Sequence, residues 1–251
     1  MLTSEEREVI LKICGEELSE EIPLIAGCSA ESTRKTIENM RRAKACGADA
    51  VLIATPYYVK PTQQGLIHHF ERAAEAVDIP IILYNIPSRT GTNLLPYTLE
   101  KLAEISSIVG IKECSGDLIQ AQVMMERISP LRFDFSFLSG DDHLTLPIMA
   151  LGGHGVVSVI SNLFPKEMKE LMSCLESNSF VEARKLHSAL FPLFQACFIE
   201  TNPAPIKAAM EFFELPAGTC RSPLVPLLPE NALQLKTLLT LWSQETVLST
   251  V

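Results

Sequence analysis

The sequence predicts a parallel α/β fold assembled from repeated strand–helix units, and three observations predict it. Short apolar, β-branched runs recur along the chain, beginning at residues 23, 50, 80, 108, 133 and 155, so successive starts differ by 27, 30, 28, 25 and 22 residues. That interval is the period of a βα unit. The runs are nearly continuous in apolar residues instead of alternating, as parallel strands covered on both faces require. Between them lie amphipathic stretches with helix-start signals.

Taken in order, Thr3–Leu18 reads as a first helix, followed by the run Pro23-Leu24-Ile25-Ala26. Ser29-Ala30-Glu31-Ser32 then opens a helix carrying Ile37, Met40 and Ala43. The second and third runs, Ala50–Ala54 and Pro80–Tyr84, flank a helix that holds His68 and His69, two histidines expected at the surface. Ile108–Lys112, Phe133–Leu138 and Gly155–Val159 are the remaining strands. Pro165-Lys166-Glu167 starts a helix with Met168, Leu171, Met172 and Leu175 on one face. Beyond residue 180 strands give way to helices, read over Phe180–Glu214 and Pro229–Thr246.

Six units fit either an open sheet or part of a closed (β/α)8 barrel, and a barrel needs two more strands, about 40 residues, ahead of the first helix. No Gly/Ser/Pro-rich linker interrupts the chain. The expected organisation is a partial barrel over 1–179 with a helical extension over 180–251.

Composition narrows the function. Of 251 residues, 47% are hydrophobic and 20% charged, enough apolar surface for a large core. Lys plus Arg number 21 against 30 Asp plus Glu, a net charge of −9, which argues against nucleic-acid or anionic-membrane surfaces. The acidic opening residues lack the features of a signal peptide and no apolar run reaches 18 residues, so a cytoplasmic protein is expected. The seven cysteines are scattered without CxxC spacing, which reads as buried free thiols in a reducing compartment.

Reactive groups of a parallel α/β array belong at the C-terminal ends of its strands. Lys112 directly follows Ile108-Val109-Gly110-Ile111, so its stem is expected in a dry mouth where an ammonium loses hydration. A fall of about 3 pKa units corresponds to roughly 4 kcal/mol and leaves a neutral amine that can attack a ketone. A salt bridge to Glu113 is the competing reading. Tyr84 ends the neighbouring run and either shuttles protons for Lys112 or packs as a half-buried phenol. Arg89, in a loop punctuated by Pro87 and Gly91, offers a fork for a carboxylate or simply faces solvent. Gly152-Gly153-His154-Gly155 precedes a strand and lacks GKS/T, which favours a tight helix-to-strand turn over a phosphate cradle.

The stretches Tyr84-Asn85-Ile86-Pro87-Ser88-Arg89-Thr90-Gly91, Gly110-Ile111-Lys112-Glu113, Leu138-Ser139-Gly140-Asp141-Asp142 and Leu151-Gly152-Gly153-His154-Gly155 together resemble the dihydrodipicolinate synthase/N-acetylneuraminate lyase family. The resemblance extends from Leu2 to about Leu239 and includes Glu200–Lys207. It implies a TIM (β/α)8 barrel and a Schiff-base enzyme that condenses pyruvate with aspartate-4-semialdehyde on the route to diaminopimelate and lysine. Lys112 would form the imine, Tyr84 would move protons, and Tyr58 would complete a proton relay across a dimer interface, in a homodimer or homotetramer. Arg89 matches the arginine that receives the semialdehyde carboxylate. The backbone of Val157 matches a pyruvate-contacting position, and Gly140 falls among the substrate-binding residues. No metal or organic cofactor is implied.

Arg89 separates two branches, because sialic-acid lyases resemble this pattern without that arginine. The alternatives are therefore a lyase acting on N-acetylneuraminate or another sugar acid, and a product that does not turn over. In the family, a Gly-Thr-Thr-Gly-Glu segment immediately precedes the stretch matching Met1-Leu2-Thr3-Ser4, so this chain is expected to lack the first two barrel strands, a carboxylate-binding hydroxyl and the middle relay hydroxyl. Glu31 and Lys35 stand where lysine-inhibited bacterial members resemble one another in having Asn and Glu, which implies weak or absent inhibition by lysine.

Overall fold

In the computed structural model the described residues are 2–248, with side chains described through 244; Met1, which opens the matching stretch, lies outside them. Six strands, β1 (Ile25–Gly27), β2 (Ala50–Ala54), β3 (Ile81–Asn85), β4 (Ile108–Glu113), β5 (Ser136–Ser139) and β6 (Gly155–Val156), form one sheet in sequential order. Every neighbouring pair is parallel. Parallel neighbours need a crossover, and the amphipathic segments supply it. They are α1 (Ser4–Glu17), α2 (Thr33–Ala45), α3 (Gln63–Ala76), the single turn α4 (Pro87–Thr90), α5 (Pro96–Ala103), α6 (Leu118–Ile128), α7 (Thr145–Ala150), α8 (Pro165–Glu176), α9 (Phe180–Ala196), α10 (Ala204–Phe212) and α11 (Pro229–Leu248).

The chain divides into two compact units. The first comprises the chain through Gly140 together with Leu151–Val156 and holds the whole sheet. Its core is the pattern anticipated from the apolar runs: Val51, Ile53, Ile81, Leu83, Ile108 and Ile111 from strands are fully buried, with Met40, Leu66, Phe70, Leu99, Leu102 and Met124 from helices. The second comprises Asp141–Ala150 and the chain from Val157 onward. Its helices bury Leu171, Leu190, Phe194 and Leu239, and Phe164 meets Phe213 edge-on with centroids 5.7 Å apart.

Several boundaries differ from the sequence reading for local reasons. The fifth run starts as a turn: Arg132 forks onto both carboxylate oxygens of Asp134, at 2.7 and 2.9 Å, and Phe133 is 95% exposed, so pairing begins only at Ser136. The sixth strand ends at Val156, because the amides of Val159 and Ile160 donate to Asp142 Oδ2, each at 3.0 Å. The stretch 180–214 is two helices, the second opening on Pro203-Ala204-Pro205, where two missing amides suit a helix start and not a helix interior. At α1 a capping box joins Thr3 and Glu6, whereas Ser32 ahead of α2 makes no side-chain cap and Ser29 instead accepts from Ala54 N. His69 is buried, not superficial, while His68 is exposed. None of the seven cysteines forms a disulfide, and only Cys28 and Cys197 are buried; burial pushes their thiols up to about 11 and about 12.

Candidate active site

The strand register brings Tyr84 and Lys112 together. Tyr84 on β3 is the direct partner of Lys112 on β4, and Lys112 Nζ lies 4.2 Å from the centroid of the Tyr84 ring. An ammonium over an aromatic face is attracted by the ring quadrupole, so the contact steadies the end of a flexible side chain. Both residues sit at the C-terminal ends of strands, where parallel sheets present their reactive groups.

Gly140 completes this cluster from the end of β5. A Cβ built on it would lie 2.8 Å from Lys112 Cε and 2.5 Å from Cys114 Sγ, distances that real Cβ atoms do not reach. The absence of a side chain at 140 is thus what gives the lysine stem its channel. Cys114 joins from β4's end, two residues after Lys112 and therefore on the same side.

Behind the pair, Asn85 and Glu113 are the next register partners, and alternation turns them to the opposite face. Asn85 Nδ2 donates to Glu113 Oε2 at 2.9 Å, and Ser115 N donates to Glu113 Oε1 at 2.6 Å. Asn85 is fully buried and Glu113 only 4% exposed. The Glu113 carboxylate, the expected alternative partner of Lys112, accepts from Asn85 and from Ser115. The apolar context of Gly110-Ile111-Lys112-Glu113 was visible in sequence, but a buried carboxylate there was not.

Arg89 lies exposed on α4, one turn after β3. Its segment is fixed by hydroxyls: Thr55 donates to Thr90 Oγ1 at 3.0 Å, the single Thr90 proton is shared between Thr92 O at 3.0 Å and Ile86 O at 3.1 Å, and Gly91 closes the turn at φ 74°. These threonines escaped the sequence reading, since threonine is common in any loop. Tyr58 follows β2 and is 91% exposed with φ 70°; the amide of Val59 donates to Tyr57 O across it, a γ-turn of the strained, positive-φ kind. Tyr57 reaches back to Glu31 Oε2 at 3.5 Å. Val157, half-buried, directly follows β6. The turn read at Gly152-Gly153-His154 is present: Gly152 has φ 103°, and His154 Nδ1 accepts from Phe137 N at 3.0 Å.

Among the described residues no group of three His, Cys, Asp or Glu side chains could hold a metal ion, and no helix is long and apolar enough to cross a membrane.

A profile of the dihydrodipicolinate synthetase family matches residues 1–241. The chain belongs to this family. It is 47% identical over 244 residues to a 4-hydroxy-tetrahydrodipicolinate synthase of Protochlamydia amoebophila, covering 97% of this chain and 81% of that protein. The 4-hydroxy-tetrahydrodipicolinate synthase of Methylacidiphilum fumariolicum SolV superposes with a TM-score of 0.94 at 40% identity, over 98% of this chain and 82% of that one. A dihydrodipicolinate synthase of Acinetobacter baumannii, solved with pyruvate, superposes with a TM-score of 0.90 at 39% identity, over 97% and 82% of the two chains. The parallel α/β architecture of these six strands is thus shared with both solved relatives.

Proposed function

We infer that this protein is a 4-hydroxy-tetrahydrodipicolinate synthase, a lyase-class enzyme of diaminopimelate and lysine biosynthesis that joins pyruvate to L-aspartate-4-semialdehyde. The observation that carries the reading is Lys112 Nζ held 4.2 Å over the Tyr84 ring at the ends of two adjacent parallel strands. Family membership and relatives bearing that activity's name support it.

In this reading Lys112 Nζ attacks the carbonyl carbon of pyruvate to give a carbinolamine, which loses water to form an imine. The protonated imine withdraws electrons, so the pyruvate methyl group gives up a proton and becomes an enamine carbon. That carbon attacks the semialdehyde's aldehyde, forming the new carbon–carbon bond. Tyr84 moves the protons that carbinolamine formation and dehydration require. Arg89 receives the semialdehyde carboxylate, on a segment held by Thr55, Thr90 and Thr92. Gly140 lines the pyruvate position, and the family resemblance assigns pyruvate contact to the backbone of Val157 as well.

The fold that goes with this reading is a (β/α)8 barrel, of which the six sequentially ordered strands form part. Self-association belongs to it as well: Tyr58, 91% exposed on a strained turn, is suited to reach a neighbouring subunit and complete a proton relay there. Seven cysteines with no disulfide among them suit the cytoplasm.

The test is borohydride reduction in the presence of pyruvate. The expected result is a reduced pyruvate adduct on Lys112 and none in Lys112→Ala; an unmodified Lys112 overturns the reading. Assay with aspartate-4-semialdehyde against N-acetylneuraminate then decides the second substrate, and turnover of N-acetylneuraminate alone would assign the lyase branch.

A further inference from the structure

Beyond the reacting pair, we infer that Asn85 and Glu113 are positioning residues that hold Lys112 over Tyr84 from the opposite face of the sheet. The inference rests on Lys112 as the imine-forming residue. Its basis is a buried polar network built on the same two strand ends. Asn85 uses its whole amide: Nδ2 donates to Glu113 Oε2 at 2.9 Å and to Asn93 Oδ1 at 2.8 Å, while Oδ1 accepts from Leu94 N at 2.9 Å. Asn93 Nδ2 in turn donates to Gln120 Oε1 at 2.7 Å, on α6, and its backbone oxygen accepts from Gln63 Nε2 at 2.8 Å, on α3. Ser115 N ties the chain beyond β4 to Glu113 Oε1.

Energetics separates this arrangement from ordinary core packing. A buried carboxylate loses much hydration, and apolar residues of similar volume often stabilise a fold as well or better. What a satisfied polar network supplies instead is one geometry, because each donor and acceptor has a single good partner. Asn85 and Glu113 are register partners one residue beyond Tyr84 and Lys112. Their hydrogen bond therefore fixes the relative height and twist of the two strand ends, and with them the 4.2 Å separation of ammonium and ring. The same asparagine fixes Leu94, anchoring the far end of the segment that starts at Arg89.

The experiment measures the rate at which the full chain gains the borohydride-reduced pyruvate adduct at Lys112, across pH, with the melting temperature recorded alongside. Asn85→Asp sets two carboxylates face to face. It is expected to slow trapping by about 10- to 100-fold, since a displacement of an ångström can cost that much. The deficit should narrow as pH falls and one carboxylate takes a proton. Asn85→Asp combined with Glu113→Gln reverses donor and acceptor, the Asn93 and Gln120 amides turning over to follow, and is expected to restore trapping to within about threefold of wild type.

An Asn85→Asp protein that is folded and traps pyruvate at the wild-type rate, whatever its melting temperature, overturns the inference. So does a folded double variant as slow as the single one. If Asn85→Asp does not fold, Glu113→Gln takes its place: it keeps the shape but faces an amide toward either Asn85 Nδ2 or Ser115 N, with the same two outcomes. Absence of adduct in the wild type overturns instead the assignment of Lys112 and the positioning role with it.

Discussion

Gly140 stands where a Cβ would lie 2.8 Å from Lys112 Cε, so the smallest residue at the end of β5 is what lets the longest side chain of β4 occupy its place. Gly140→Ala must push the lysine stem, Cys114 Sγ or the strand end aside. Crowding of this kind in packed surroundings costs about 1–3 kcal/mol of stability. The larger effect should be kinetic: the pyruvate kcat/KM is expected to fall by about 100-fold. Steady-state kinetics beside thermal unfolding checks it, and a variant with wild-type kcat/KM would show that the stem has room to spare.

Tyr84 offers its ring to Lys112 Nζ, and its hydroxyl is the proton carrier proposed above; two substitutions separate these roles. Tyr84→Phe keeps the aromatic face but no phenol. It is expected to lower kcat by about 10²- to 10⁴-fold, the range for one acid–base group, while the adduct on Lys112 still reaches wild-type yield at long times. Tyr84→Leu also removes a cation–π contact of about 0.5–1 kcal/mol and should slow trapping further, by about two- to fivefold beyond Tyr84→Phe. Equal trapping rates in the two variants would assign the ring no part in holding the amine.

Most of what builds this site can be read along the chain. The spacing of apolar runs places six strands, and the residue ending each run is by topology near its neighbours' ends, which is why Lys112 and Tyr84 can be paired from sequence. What escapes is whatever depends on the third dimension. The Asn85–Glu113 hydrogen bond joins residues 28 apart in sequence, and its buried carboxylate looks like any exposed Glu in composition. Asp142 shortens β6 from 17 residues away by taking Val159's amide. His69 follows His68 on α3, yet the 100° step between them carries one to solvent and the other to the core.

His69 predicts a pH dependence of stability. Burial holds its imidazole at about 4 against an ordinary 6.5, with Nδ1 bonded to Thr33 Oγ1 at 2.9 Å. A histidine whose folded value is depressed contributes fully above its unfolded value. That contribution is lost as pH falls from 6.5 toward 4, reaching on the order of 3 kcal/mol below the folded value. Wild type should therefore lose more melting temperature than His69→Gln between pH 6.5 and 4, the variant being the less stable at neutral pH because it packs less well. Parallel curves across that interval would show that His69 does not titrate on unfolding.

Lysine inhibition supplies the last test. Lys35, on the first turn of α2, pairs with Glu38 Oε1 at 3.1 Å, and Glu31 Oε2 accepts from the Tyr57 hydroxyl at 3.5 Å. The family resemblance implies a carboxylate at the position of Lys35 in lysine-inhibited members, and this chain carries a cation there. An ammonium-bearing effector arriving there meets repulsion instead of a partner, and two like charges about 4 Å apart near a surface cost several kcal/mol before screening. Activity should therefore hold above half at about 1 mM lysine, a concentration at which binding worth roughly 4 kcal/mol would half-saturate the site. Lys35→Glu restores the attractive sign and should bring inhibition into that range, more strongly at low salt. Strong inhibition of the wild type at sub-millimolar lysine would show that the effector's ammonium is held elsewhere.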